Sequence, residues 1–213
     1  MQKRLTIVVT GAAAFMAILI ACNQQPAASG SSTDSTKTIA VATPGFGGFE
    51  SQVKWGEHLV ILGGCNDCHT PKKMGPQGPE DDMSQMLSGH PAQMPPANFD
   101  PKEAAKKGLI VTQTFTSWTG PWGTTYGVNL TSDSTGIGSW KEAQFVKALK
   151  EKKWMGLDNT RPLMPPMSMM PATLMTEDEL KAIFAYLQTT TPIHNIAPQA
   201  FLFPPPPPAA PAK

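Results

Sequence analysis

Five consecutive residues, Cys65-Asn66-Asp67-Cys68-His69, hold the side chains best suited to do chemistry in this chain. Two thiols at this spacing followed at once by an imidazole match the pattern of covalent haem attachment. The thiols reach the two vinyl groups on one side of the porphyrin, and the next residue places a ring nitrogen under the iron. Two other chemistries use Cys-x-x-Cys. A structural zinc site asks for four ligands, and beyond this cluster the chain offers only His58, His90 and His194, all scattered. A redox dithiol belongs to a βαβ setting, and no such pattern surrounds this motif. The expectation is one covalent haem held by Cys65 and Cys68, with His69 as an iron ligand.

The sixth ligand must come from far along the chain. Haem centres that only pass electrons pair His with Met, which raises the potential. The chain has 12 methionines, most of them expected as packing filler. The segment Arg161-Pro162-Leu163-Met164-Pro165-Pro166-Met167 differs, because prolines on either side of Met164 fix the backbone and keep it out of helix. Such a loop can hold a thioether against iron at low entropic cost, and both Met164 and Met167 are candidates. His90-Pro91 and Gln93-Met94-Pro95-Pro96 mimic a ligand loop. Loop structure is the expected role there, with Met94 a third candidate. Trp118, Trp122, Tyr126 and Trp140 either pack on a porphyrin or serve as ordinary core and surface aromatics. Lys72 and Lys73 read as a basic docking rim or as a solvated charge pair.

The elements that must position these residues are mainly helical. Trp55, Leu59 and Leu62 fall on one face of a helix over 51–63, which Gly63-Gly64 ends. A second helix is expected over 139–152, with Ser139 and Glu142 as a capping box and Phe145, Val146 and Leu149 as its buried stripe. A third runs over 176–188, with Thr176 and Glu179 as a capping box and Leu180, Ile183, Phe184 and Leu187 facing inward. Glu177 and Asp178 lie in its first turn, where the helix dipole favours negative charge. Residues 70–138 are rich in Gly, Pro, Ser and Thr and show no sustained strand alternation; a short helix fits Pro101 to Lys107. The fold class expected is mainly α, with long loops wrapping the haem.

The ends of the chain carry addresses rather than core. Lys3 and Arg4 precede an apolar run to Ala21, an export signal in outline. Leu19-Ile20-Ala21-Cys22 resembles a bacterial lipobox, with Cys22 as the lipidated first residue after cleavage; an uncleaved signal anchor is the alternative. Residues 23–48 cannot bury enough apolar surface to fold and read as a tether spanning roughly 25–30 Å. The expected organisation is a leader (1–21), a tether from Cys22 (22–48), a folded domain (49–192) and a Pro-rich tail (193–213). The run from Pro204 to Pro208 should be extended, in a tail that is disordered or docks on a partner. Removing Lys3 and Arg4 takes 17 basic residues to 15 against 16 acidic, a net −1. That balance gives no basic face for nucleic acid.

A wider pattern accompanies the haem motif. Gly127-Val128-Asn129-Leu130-Thr131-Ser132-Asp133, then Thr135-Gly136-Ile137-Gly138-Ser139-Trp140, then Met164-Pro165-Pro166-Met167, Thr176-Glu177-Asp178-Glu179-Leu180 and Ala185-Tyr186-Leu187 follow in order. Across roughly residues 52–190 this resembles the cytochrome c modules of bacterial alcohol, aldehyde and gluconate dehydrogenase cytochrome subunits. The resemblance implies a cytochrome c-like fold, haem c, and Met167 as the axial ligand, with Met164 the runner-up. Ser168 and Met169 replace the usual Pro and aromatic. A single Cys-x-x-Cys-His stands where the family's subunits often carry several. The function implied is electron transfer, not catalysis, by a mono-haem carrier or a subunit of a respiratory or dehydrogenase complex. Its partners would be redox proteins and, through the lipid, a membrane. It would be exported and face the periplasm, and Asn23 after Cys22 favours the outer membrane. A haem enzyme or gas sensor with an open sixth position, and a lipoprotein with a structural zinc, are the competing classes.

Overall fold

The computed structural model describes residues 45–204. The leader, Cys22, most of the expected tether and residues 205–213 lie outside the described residues. Among the described residues no helix is long and apolar enough to cross a membrane.

Helix α1 (Gln52–Leu62) starts where Ser51 Oγ accepts from the Lys54 N–H at 3.2 Å and stops at Gly63, which donates back to Leu59. The expected face is displaced. Leu59 and Val60 are buried, whereas Leu62 is 70% exposed. The reason is Gly56, which α1 turns toward helix α5 (Glu177–Leu187). A Cβ on Gly56 would lie 1.9 Å from the Ala182 carbonyl oxygen, so the two backbones cross where only hydrogen fits. Helix α5 keeps both halves of its capping box, with Thr176 Oγ1 accepting from Glu179 N–H at 3.2 Å and Glu179 Oε2 accepting from Thr176 N–H at 2.7 Å. Leu180, Ile183, Phe184 and Leu187 all face inward.

Two further helices are shorter. Helix α3 (Pro101–Lys107) has Pro at its start, Asp100 as its cap and Gly108 at its end. Helix α4 (Glu142–Lys150) begins three residues later than expected, because Ser139 forms no cap. It lies instead in a turn closed by the Trp140 N–H to the Ile137 carbonyl at 3.0 Å, and Lys141 is the first flanking residue. Phe145 of α4 meets Phe184 of α5 with ring centroids 5.5 Å apart. These contacts, with Leu87 and Ile137, form the apolar core.

The loop region is not without strands. β1 (Lys72–Gly75) pairs with β2 (Gly78–Asp81), and β3 (Ser117–Gly120) with β4 (Gly123–Tyr126), both antiparallel. Each strand is four residues long, too short to show alternation. The legible signal was Gly-Pro-x-Gly at both turns, Gly75-Pro76-Gln77-Gly78 and Gly120-Pro121-Trp122-Gly123, which puts Pro second and Gly last in a tight turn. The mainly α expectation is thus only partly met, since two short antiparallel hairpins stand beside the helices. The start of the expected tail also differs. β5 (Phe201–Leu202) pairs with β4. Asn195 donates to the Ser88 and His90 carbonyls at 2.7 and 2.9 Å, and Asn129 donates to the Ile193 carbonyl at 2.7 Å. These amides supply partners for loop backbone that has no ladder of its own.

His90 is fully buried in this layer. Its Nε2 lies 2.8 Å from the Met94 carbonyl and its Nδ1 2.9 Å from Thr116 Oγ1. A carbonyl only accepts, so Nε2 carries the proton and Nδ1 accepts from the hydroxyl. This is the structural role expected of the His90-Pro91 loop.

Gly56→Ala should cost about 1–3 kcal/mol through overpacking, measured by denaturant unfolding; a variant as stable as the parent would mean the helices do not approach this closely. Burial holds His90 below its ordinary 6.5, so on acidification the unfolded chain takes up the proton first. Stability then falls as pH drops below about 6.5. His90→Gln should be less stable at neutral pH but lose less stability on acidification; an unchanged slope would refute the buried neutral ring.

Candidate functional site

The haem motif forms one short helix, α2 (Cys65–His69), entered from Gly64 and left at Thr70. The His69 ring is 5% exposed, and its Nδ1 lies 2.7 Å from the Val128 carbonyl oxygen. Because the partner only accepts, Nδ1 carries the proton and Nε2 keeps its lone pair, the form an imidazole needs to ligate a metal. Burial lowers the affinity of His69 for a second proton, acting in the same direction. The His69 carbonyl in turn accepts from the Gly89 N–H at 2.7 Å.

Both thiols of α2 are free. Burial pushes the Cys65 thiol up to about 11 and raises that of Cys68 as well. Burial thus favours the un-ionised form of both thiols. Among the described residues no group of three or more His, Cys, Asp or Glu is placed to hold a metal ion.

The segment that holds His69 also holds the proline-flanked methionine loop. The β3–β4 register continues one step beyond the strands, with Gly127 N–H donating to the Thr116 carbonyl at 2.8 Å. Thr125 and Gly127 therefore look to the same side. On that side Thr125 Oγ1 donates to the Pro165 carbonyl at 2.7 Å. A Cβ on Gly127 would lie 2.2 Å from the Cys68 carbonyl oxygen, so only glycine lets α2 approach. One short stretch thus ties the haem motif and the 161–167 loop to a common scaffold. Met164 and Met167 are both half-buried in that loop, Met167 opening a short 3₁₀ turn (Met167–Met169).

Tyr126 looks to the other side, its ring centroid 5.0 Å from that of His90. His90 is held at this end of the hairpin by Tyr126, by Thr116 and by its own N–H on the Gly127 carbonyl at 2.8 Å. The aromatic group also divides: Trp140 packs on the helical core, while Trp118 and Trp122 stay with the hairpin. Of the two readings of Lys72, the structure shows the charge pair. It pairs with Asp81 at 2.7 Å and donates to the carbonyls of Thr70 and Asn66. Lys73 faces Glu80 at 3.7 Å.

These residues fit a covalently held haem: two un-ionised thiols on one turn, an imidazole with Nε2 free, and buried indole nitrogens of Trp118 and Trp122 that lack any acceptor. Comparison with known proteins agrees. The family model for cytochrome c matches residues 53–191. Over 80 residues the chain is 35% identical to one of the subunits of nicotinate dehydrogenase from Pseudomonas putida, a match that covers 37% of this chain and 6% of that protein. This chain belongs to the cytochrome c family.

Proposed function

We propose that this chain transfers electrons through one haem c bonded to Cys65 and Cys68, with His69 and Met167 as axial ligands and Met164 as the runner-up to Met167. Family membership supports haem-based electron transfer at the coarser level. The observation that supports the finer reading is the common scaffold of residues 125–128, with Thr125 on the methionine loop and Val128 on the His69 ring. The haem supplies the one-electron couple when bound. His69 stays neutral and oriented through Nδ1, and Thr125 keeps the loop from drifting. The proline-flanked loop presents a thioether, the soft ligand that raises potential.

The likeness to part of a dehydrogenase supports a role as an electron-transfer module beside an oxidoreductase partner rather than as an enzyme by itself. The leader, the lipidated Cys22 and the tether would place the module outside the cytoplasmic membrane, facing the periplasm, on the outer membrane by the Asn23 signal. The domain itself would extend from residue 49 through the packed segment ending near Pro204.

The visible and near-infrared spectrum tests this reading. A low-spin spectrum with a far-red sulfur-to-iron band, unmoved by carbon monoxide, is expected. A high-spin spectrum that shifts with carbon monoxide would overturn it in favour of an open-site enzyme or sensor. Met167→Ala should abolish the far-red band and Met164→Ala should keep it, the reverse result making Met164 the ligand. Cys68→Ala should leave little or no stable haem. Cys22→Ser should abolish incorporation of labelled fatty acid and release the protein from the membrane fraction; a variant that still carries lipid would refute the anchor.

A further inference from the structure

The C-terminal end of helix α4 carries a residue in a conformation that its type does not favour. Lys152 has φ +51°, the left-handed region that is costly for a residue with a Cβ and that glycine usually fills just past a helix end. The helix does end there: Glu151 is its capping residue, and the Lys153 N–H closes back on the Ala148 carbonyl at 3.0 Å. A backbone outlier held in place points to a task for the side chain.

Lys152 grips the methionine loop with both its backbone and its side chain. Its carbonyl accepts from the Leu163 N–H at 2.6 Å, and its half-buried side chain donates from Nζ to the Ser168 carbonyl. Met164 and Met167 both lie between these two contacts. The neighbours of Lys152 extend the grip. Lys153 pairs with Pro162 in an antiparallel bridge, and the Trp154 N–H donates to the Arg161 carbonyl at 2.9 Å. Lys150 donates from Nζ to the carbonyls of Thr173 and Met175, where the loop runs out toward α5. Among the described residues, the lysines that pair with a carboxylate do not include Lys150 or Lys152. Both ammonium groups are given instead to loop backbone, as charge-assisted hydrogen bonds.

We propose that Lys152 is a positioning residue for the sixth iron ligand: its ammonium holds the methionine loop closed and so keeps the thioether in place. This rests on the His/Met reading above, but not on the choice between Met167 and Met164, because the two contacts bracket both. A thioether is a neutral, weak ligand, so its time on the iron depends on how readily the loop opens. Local opening of this kind is set by the contacts that break with it. The Leu163 contact belongs to the backbone and survives substitution of Lys152, whereas the Ser168 contact needs the ammonium. The side chain therefore controls one half of the bracket.

The experiment uses the full holoprotein and added imidazole, which takes the sixth position only when the methionine leaves it. Lys152→Gly removes the ammonium and places at φ +51° the residue that suits it, so global stability in denaturant should not fall. Imidazole should nevertheless bind about tenfold more tightly, the size expected for one hydrogen bond from a charged group, and bleach the far-red sulfur-to-iron band at correspondingly lower concentration. Lys152→Arg keeps a charged donor and should stay near the parent. Parental imidazole affinity in Lys152→Gly would overturn the proposal, as would a gain matched by an equal loss of global stability, or an Arg variant that behaves like the Gly variant. A parent protein without the far-red band would instead overturn the His/Met reading, so the two failures are told apart.

Discussion

The hydrogen bond from His69 Nδ1 to the Val128 carbonyl joins the two parts of the chain that the proposed chemistry needs together, 59 residues apart. It selects one tautomer, orients the ring and leaves Nε2 available, and all three follow from the fact that a backbone carbonyl can only accept. The bond forms only if the 125–128 segment is pressed against α2. Two further contacts enforce this: Gly127, with no side chain between it and Cys68, and the Gly89 N–H on the His69 carbonyl.

The rest of the domain can be understood as support for that segment. The helical half is apolar, with α1 and α5 crossing at Gly56 and Phe145 of α4 against Phe184. The other half is held by polar side chains. Thr116, Thr119, Thr131, Ser88 and His90 are almost wholly buried, and Asn129 and Asn195 knit the loops to the C-terminal segment. Long loops have few backbone ladders, so their N–H and C=O groups must find side chains or stay unpaired. Among the described residues the two unpaired indoles of Trp118 and Trp122 stand out against this background.

Lys72 shows how partners decide between two readings of a charge. Beside Cys68 and His69 it looks like a docking charge, yet the β1–β2 hairpin folds Asp81 onto it and the end of α2 supplies two carbonyls. A redox partner approaching this rim meets a neutralised pair.

Much was legible before any coordinates. Cys65, Cys68 and His69 are candidates by spacing alone, and α3 and α5 were readable because caps and periodicity are local: Pro at the start, Gly at the end, Thr176 with Glu179. Where a neighbour competed, local reading failed. Ser139 gave up its cap to a turn beneath Trp140, Leu62 turned outward because Gly56 set the rotation of α1, and four-residue strands were too short for alternation to register. The sequence by itself determined the chemistry on offer, because thiols, imidazole and thioether are properties of residue type. Only the tertiary structure decided which carbonyl holds the His69 ring, which lysine is neutralised and which indoles stand unpaired, because each depends on what another segment brings within about 3 Å.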